Sequence, residues 1–227
     1  MFQTIDVFDV SLVDRPFEDY QKSLSNDKTS YHAQHPELFA PDRIVFMGGL
    51  LQSRRLGDAS YHEALVHPGL FAHKSPKRVA IIGGGEGATL REILKHDTIE
   101  QVVMIDIDKM IVEISKEYLP QWSDCSNLVG RSDSCFEDAK AEVYLEDAFK
   151  WFKDRFLEDG ELVGSEDPFD VIIMDALDPQ GLTEFVANLY TDKFFYESLY
   201  RGLADDGILV AQLGASRSLN DPPEDHR

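Results

Sequence analysis

From residue 79 onward, short and largely apolar runs alternate with helix-patterned segments, and this alternation restricts the possible fold more than any other feature. Residues 79–82, 102–105, 142–145, 171–174 and 208–212 read as strands. Segments 88–96, 109–118, 147–156 and 191–203 between them carry helical patterning. Strands that are apolar throughout need cover on both faces. The pattern therefore predicts a mostly parallel sheet between two helical layers, an α/β doubly wound domain.

The first 60 residues lack this rhythm. A polar run fills 23–36, and the apolar stretches 44–47 and 50–52 flank Gly48-Gly49, a hairpin signal. The expected organisation is a small β-rich extension over 1–60, followed by a Rossmann-like domain over 61–227 that opens with a short helix at 61–71. Two segments interrupt the alternation, a polar loop at 123–138 and a stretch at 156–168 holding five acids and two glycines. Both are expected to be surface insertions.

The formal charge of −20, from 22 basic and 42 acidic residues, disfavours nucleic acid and anionic membrane as partners. No segment is apolar over the length needed to cross a bilayer. The start Met1-Phe2-Gln3-Thr4 lacks the basic and apolar pattern of a secretion signal. Cys125 and Cys135 have no Cys-x-x-Cys spacing, so neither a metal site nor a disulfide is expected. Together these features predict a cytoplasmic protein.

Carboxylates stand at the strand tips. In open parallel sheets, ligands bind beyond the carboxyl ends of the strands. That rule gathers Gly83-Gly84-Gly85-Glu86-Gly87, Asp106 and Asp108, Asp147, and Asp175 and Asp178 along one rim. The glycine spacing is nearer the S-adenosylmethionine methyltransferase form than the dinucleotide form Gly-x-Gly-x-x-Gly. Glu86 within the loop would repel a pyrophosphate, and Asp106 lies about where a ribose-binding acid is expected. A helix N-cap is the competing role for Asp106 and for Asp147, and an Asx-turn before Pro179 competes for the last pair. A nucleoside carrying positive charge, beside a second cationic substrate, accounts for the acids together. An amine with a lysine-like pKa is almost wholly protonated at neutral pH. A carboxylate such as Asp175 could take its proton before the nitrogen attacks carbon.

These motifs resemble the polyamine aminopropyltransferase family of spermidine, spermine and thermospermine synthases. The likeness runs from about Glu37 to Gly214 and rests on Tyr61-His62-Glu63-Ala64-Leu65-Val66-His67-Pro68, the segment from Gly83 to Glu92, Asp106-Ile107-Asp108, Asp147-Ala148 and Asp175-Ala176-Leu177-Asp178-Pro179. The resemblance implies a Rossmann-like, S-adenosylmethionine-methyltransferase-type fold and aminopropyl transfer from decarboxylated S-adenosylmethionine, with no further cofactor and no metal. It implies that Gly83, Gly85, Ile107, Gln52 and Asp106 serve the glycine-loop and ribose side of the donor, with Asp147 and Ala148 at the adenine. Glu86 would grip an amine, Tyr61, His62 and Asp178 would line the amine channel, and Asp175 would accept the proton.

The acceptor implied is spermidine, putrescine or agmatine, and the assembly a homodimer or homotetramer. Glu86, where many spermidine synthases carry aspartate, is similar to the thermospermine synthase and bacterial triamine or agmatine branch. Gly48 replaces a usual aspartate and is expected to alter the hairpin, and Leu182 replaces a common proline. The family continues past the fifth strand with elements that finish the sheet, whereas Arg227 is last here. The chain is expected to be either a shortened form or one that dispenses with that portion. A methyltransferase and a non-catalytic polyamine-binding protein are the rival expectations.

Overall fold

The computed structural model describes residues 4–10, 41–157, 167–176 and 184–213. Residues 158–166 of the expected insertion at 156–168, together with Asp178, Pro179, Leu182 and Glu37, lie outside the described residues.

β1 (Ile5–Val10), β2 (Asp42–Met47) and β3 (Leu50–Arg54) form an antiparallel sheet in that order. Gly48 and Gly49 both adopt positive φ, 57° and 81°, which closes the two-residue turn between Met47 and Leu50. The expected alteration at Gly48 is thus a tight hairpin that glycine suits. Val45 is buried in the same core as Leu119 and Trp122, and the Trp122 indole N–H donates to Ser53 Oγ at 2.8 Å. This sheet is fastened to the domain that follows it.

The second sheet contains β4 (Arg78–Gly83), β5 (Gln101–Ile105), β6 (Ala141–Tyr144), β7 (Phe169–Asp175) and β8 (Leu203–Ala211), in the order β6-β5-β4-β7-β8 and parallel throughout. Successive side chains of a strand point to opposite faces. In β4, Val79 and Ile81 enter one core while Ala80 and Ile82 enter the other. The first core packs against α1 (Asp58–Ala72), α2 (Ala88–Leu94) and α3 (Lys109–Tyr118). The second packs against α4 (Ala148–Phe156), α5 (Glu184–Thr191) and α6 (Lys193–Gly202). There Trp151, Phe152, Phe156 and Phe169 cluster, each fully buried ring contributing about 1.5–3 kcal/mol. The fold is the Rossmann-like, methyltransferase-type doubly wound sheet, with an antiparallel β region before it.

Three local expectations change. The helix expected over 191–203 starts at Lys193, where Asp192 caps it by accepting from Phe195 N at 2.8 Å, and a further helix, α5, precedes it. The first helix begins at Asp58, three residues early. The polar loop at 123–138 is no loose insertion. Cys125 and Cys135 are fully buried and joined as a disulfide, and Phe136 lies in the core beside them. The Asp124–Ser134 bridge aligns the two segments, a pairing that spacing alone does not reveal. The pair overturns the expectation that these cysteines form no disulfide. Among the described residues, no helix is long and apolar enough to cross a membrane.

Candidate active site

The strand order reverses at β4, and β4, β5 and β7 end on a common cleft. Two close approaches shape it. Gly83 has φ 84°, and a Cβ there would stand 2.2 Å from the Asp175 carbonyl oxygen, to which Gly84 N donates at 2.9 Å. A Cβ on Gly85 would stand 2.6 Å from Asp106 Oδ2 and 2.4 Å from Ile111 Cγ2. The loop needs glycine at these positions because a neighbouring strand end occupies the space a side chain would take.

Gln52, Tyr61, Gly83, Gly85, Glu86, Asp106, Ile107, Asp147, Ala148 and Asp175 all line the cleft. Met47, Ile111, Phe149 and Leu189 complete the wall, and sequence reasoning missed them because their apolar side chains carry no motif. The wall holds the carboxylates of Glu86, Asp106, Asp108, Asp147 and Asp175, and among its described residues no lysine, arginine or histidine.

The competing cap roles separate cleanly. Asp108, not Asp106, caps α3, accepting from Met110 N at 2.9 Å. Asp106 is instead held by the Asp108 N–H at 2.8 Å and by the Gly85 N–H. Burial pushes its carboxyl up to about 6 against those two hydrogen bonds, and the charges of Asp108 and Asp175 push the same way. Asp147 does both jobs, capping α4 through Phe149 N at 2.8 Å while facing the cleft.

Asp175, the last residue of β7, is gripped from two sides. Thr89 Oγ1 donates to its Oδ2 at 2.6 Å, and the Tyr61 hydroxyl lies 3.4 Å from its Oδ1. Thr89 was not foreseen; its only signal is its place in the first turn after the glycine loop.

His62 departs from expectation. It does not line the cleft but lies behind it, 1% exposed, with the Tyr61 ring against it in a T-shaped contact. The helical turn that puts Tyr61 at the cleft puts the next residue inward. His62 Nδ1 is 2.8 Å from Asp58 Oδ1 and 2.9 Å from the Asp58 carbonyl oxygen. Its Nε2 is 3.1 Å from Glu86 Oε1 and 4.0 Å from Asp175 Oδ2. Burial opposes a charge on the ring, but the Asp58, Glu86 and Asp175 carboxylates outweigh it and push the imidazolium up to about 10. Burial also pushes the Glu86 carboxyl above its ordinary value; the Asp175 and Asp58 charges add to that, and His62 pulls against it.

A separate group, Glu63, His67 and Glu92, could offer ligand atoms to a cation. Lys95 already supplies one, with Nζ 2.6 Å from the buried Glu92 carboxylate.

The parallel sheet with a carboxylate-lined cleft at the ends of β4, β5 and β7 is a Rossmann-like fold of the methyltransferase type. The chain belongs to the spermine/spermidine synthase domain family, which matches residues 58–220. It is 42% identical over 175 residues to polyamine aminopropyltransferase 1 of Hyperthermus butylicus, covering 77% of this chain and 53% of that protein. The polyamine aminopropyltransferase of Thermococcus onnurineus is 35% identical over 198 residues, covering 86% and 61%. Among solved structures, the spermidine synthase from Thermotoga maritima superposes with a TM-score of 0.56 at 31% identity, covering 74% of this chain and 48% of that one. A spermidine synthase in complex with the transition state analogue AdoDATO gives 0.60 at 32% identity, covering 74% and 50%. The chain spans about half the length of the curated relatives it matches.

Proposed function

We propose that this chain works as a polyamine aminopropyltransferase, moving the aminopropyl group of decarboxylated S-adenosylmethionine to an amine nitrogen and releasing methylthioadenosine. The carrying observation is the charge of the cleft, five carboxylates and no basic side chain among its described lining residues. Such a wall suits a sulfonium donor and an ammonium acceptor, and it opposes the carboxylate of ordinary S-adenosylmethionine.

In this reading Asp106 and Gln52 hold the ribose side, with Gly83, Gly85 and Ile107 shaping the nucleoside end and Asp147 and Ala148 at the adenine. Glu86 and Tyr61 face the amine, with His62 behind them, and Asp178 is assigned to the same amine channel. Asp175 accepts a proton from the acceptor ammonium. The freed nitrogen lone pair attacks the carbon next to sulfur, the carbon–sulfur bond breaks, and its electron pair returns to sulfur. The leaving thioether is neutral, so no general acid is required.

Glu86 places spermidine first among acceptors, giving a spermine- or thermospermine-type tetraamine, with putrescine and agmatine as the alternatives. A homodimer or homotetramer and a cytoplasmic location belong to the same reading. The test offers the donor with putrescine, agmatine, spermidine and norspermidine separately, measuring methylthioadenosine and weighing the product. Release with one amine establishes the transferase and names its acceptor. Folded protein that binds methylthioadenosine yet releases none with any amine overturns the reading.

A further inference from the structure

Behind the cleft wall runs a chain of charges that no motif announces. Arg91, in α2, is almost fully buried and reaches Asp58 Oδ2 with Nη2 at 3.1 Å. Its other nitrogens are spent on the Trp122 carbonyl at 2.9 Å, the Gln121 carbonyl at 3.2 Å and Glu92 Oε1 at 2.9 Å. The guanidinium therefore has one orientation, and it pins Asp58. Asp58 in turn stands one helical turn before His62 and meets its Nδ1 at 2.8 Å. On its far side His62 meets Glu86 at 3.1 Å and Asp175 at 4.0 Å.

Both ring nitrogens of His62 face only oxygen acceptors: the Asp58 carboxylate and carbonyl on one side, Glu86 and Asp175 on the other. A neutral ring carries one N–H and leaves one lone pair, which would point at a carboxylate. The charged ring presents an N–H on each side and has carboxylates within ion-pair distance on both. The titratable and charged groups gathered on this ring are Asp58 from its own helix, with Arg91 behind it, Glu86 from the glycine loop and Asp175 from the end of β7.

We propose that Asp58, clamped by Arg91, is a positioning residue that fixes His62 as a resident cation behind Glu86 and Asp175, holding the Glu86 carboxylate ionised for the acceptor amine. The inference rests on the aminopropyl-transfer reading and adds what that reading lacks. Burial among other carboxylates pushes Glu86 toward its protonated form, and a neutral Glu86 could not hold an ammonium. A fixed cation behind the wall counters that tendency without occupying the space in front of it.

The experiment has two arms. Ring-nitrogen NMR of His62 in the ligand-free parent and in Asp58→Asn reads the cation itself and needs no turnover. The parent ring is expected to be protonated at neutral pH, and its midpoint should fall by at least about one pH unit in Asp58→Asn, with Asp58→Glu restoring it. The second arm is the pH profile of kcat/KM for the amine, whose acidic limb should move to higher pH in His62→Gln, where the cation is gone; an unmoved limb in folded His62→Gln overturns the proposal. A neutral His62 in the parent overturns the proposal, as does an unmoved midpoint in folded Asp58→Asn. Should Asp58→Asn fail to fold, the parent titration alone decides. A parent that turns over no amine defeats the transferase reading, while the NMR arm still reports on the charge chain.

Discussion

The hydroxyl of Thr89 donates to Oδ2 of Asp175 at 2.6 Å, joining the first turn of α2 to the last residue of β7 across 86 residues of sequence. The contact turns the carboxylate so that its other oxygen lies on the side of Tyr61. Asp175 lines the cleft in this orientation and is the proton acceptor of the proposed transfer. Asp175→Asn keeps the shape and loses the basicity. Turnover should fall by about 10²–10⁴-fold, the usual contribution of a positioned base. Methylthioadenosine affinity, measured by calorimetry, should stay within about threefold, since that change is under 1 kcal/mol. Undiminished turnover would remove Asp175 from the mechanism.

Asp106 ties affinity to pH. Its carboxyl is raised to about 6 by burial, so a ribose-binding role in the ionised form weakens as pH falls through that value. Methylthioadenosine binding should lose roughly tenfold for each pH unit below it, the slope of a single protonation. Asp106→Asn should bind weakly and show no such slope. A parallel slope in parent and variant would assign the effect to another group.

Gly85→Ala tests the packing of the loop against Asp106. The new methyl would fall 2.4 Å from Ile111 Cγ2 and 2.6 Å from Asp106 Oδ2, so the carboxylate must move. Methylthioadenosine affinity should drop by at least about tenfold, corresponding to 1.4 kcal/mol. Retention of parental affinity would show that the loop yields instead.

His62 makes stability depend on pH in a defined direction. Its folded pKa of about 10 lies above the unfolded value near 6.5, so the proton is held more tightly in the folded chain. The stabilisation is complete below about 6.5 and fades as pH rises through about 10. Urea unfolding across that window should show the advantage of the parent over His62→Gln shrinking toward alkaline pH. A gap independent of pH would mean that the ring's packing, not its charge, matters.

The Cys125–Cys135 disulfide spans ten residues, and closing a loop of that size is worth about 2–3 kcal/mol. Reduction, or Cys125→Ser with Cys135→Ser, should lower stability by that amount in urea unfolding. The double variant should be insensitive to reductant. Equal stability with and without reductant in the parent would mean that the buried sulfurs contribute by packing alone.

Much of this arrangement was legible in the residues. The strands fell within a few residues of expectation, with β8 starting earlier, because apolar runs of four or five leave few choices once each needs cover on both faces. Asp106, Asp147, Asp175 and Glu86 could be placed on one rim because parallel strands all present their carboxyl ends on the same side. What stayed hidden has a common cause. Arg91, Thr89 and the disulfide act through partners distant in sequence or in a non-helical loop, and their spacing holds no period. The cap roles of Asp106 and Asp108, two residues apart, also needed coordinates, since either could have closed α3.

The sequence by itself determined the doubly wound sheet, the glycine loop and the acidic character of its rim, all consequences of local pattern and chain direction. Only the tertiary structure decided which carboxylate caps and which faces the cleft, and that His62 turns inward. It also set Arg91, Asp58 and His62 in a line of alternating charge that ends on the Glu86 and Asp175 carboxylates. Such a line exists only where α1, α2, β7 and the loop after β4 pack together, and burial there makes each charge depend on the next.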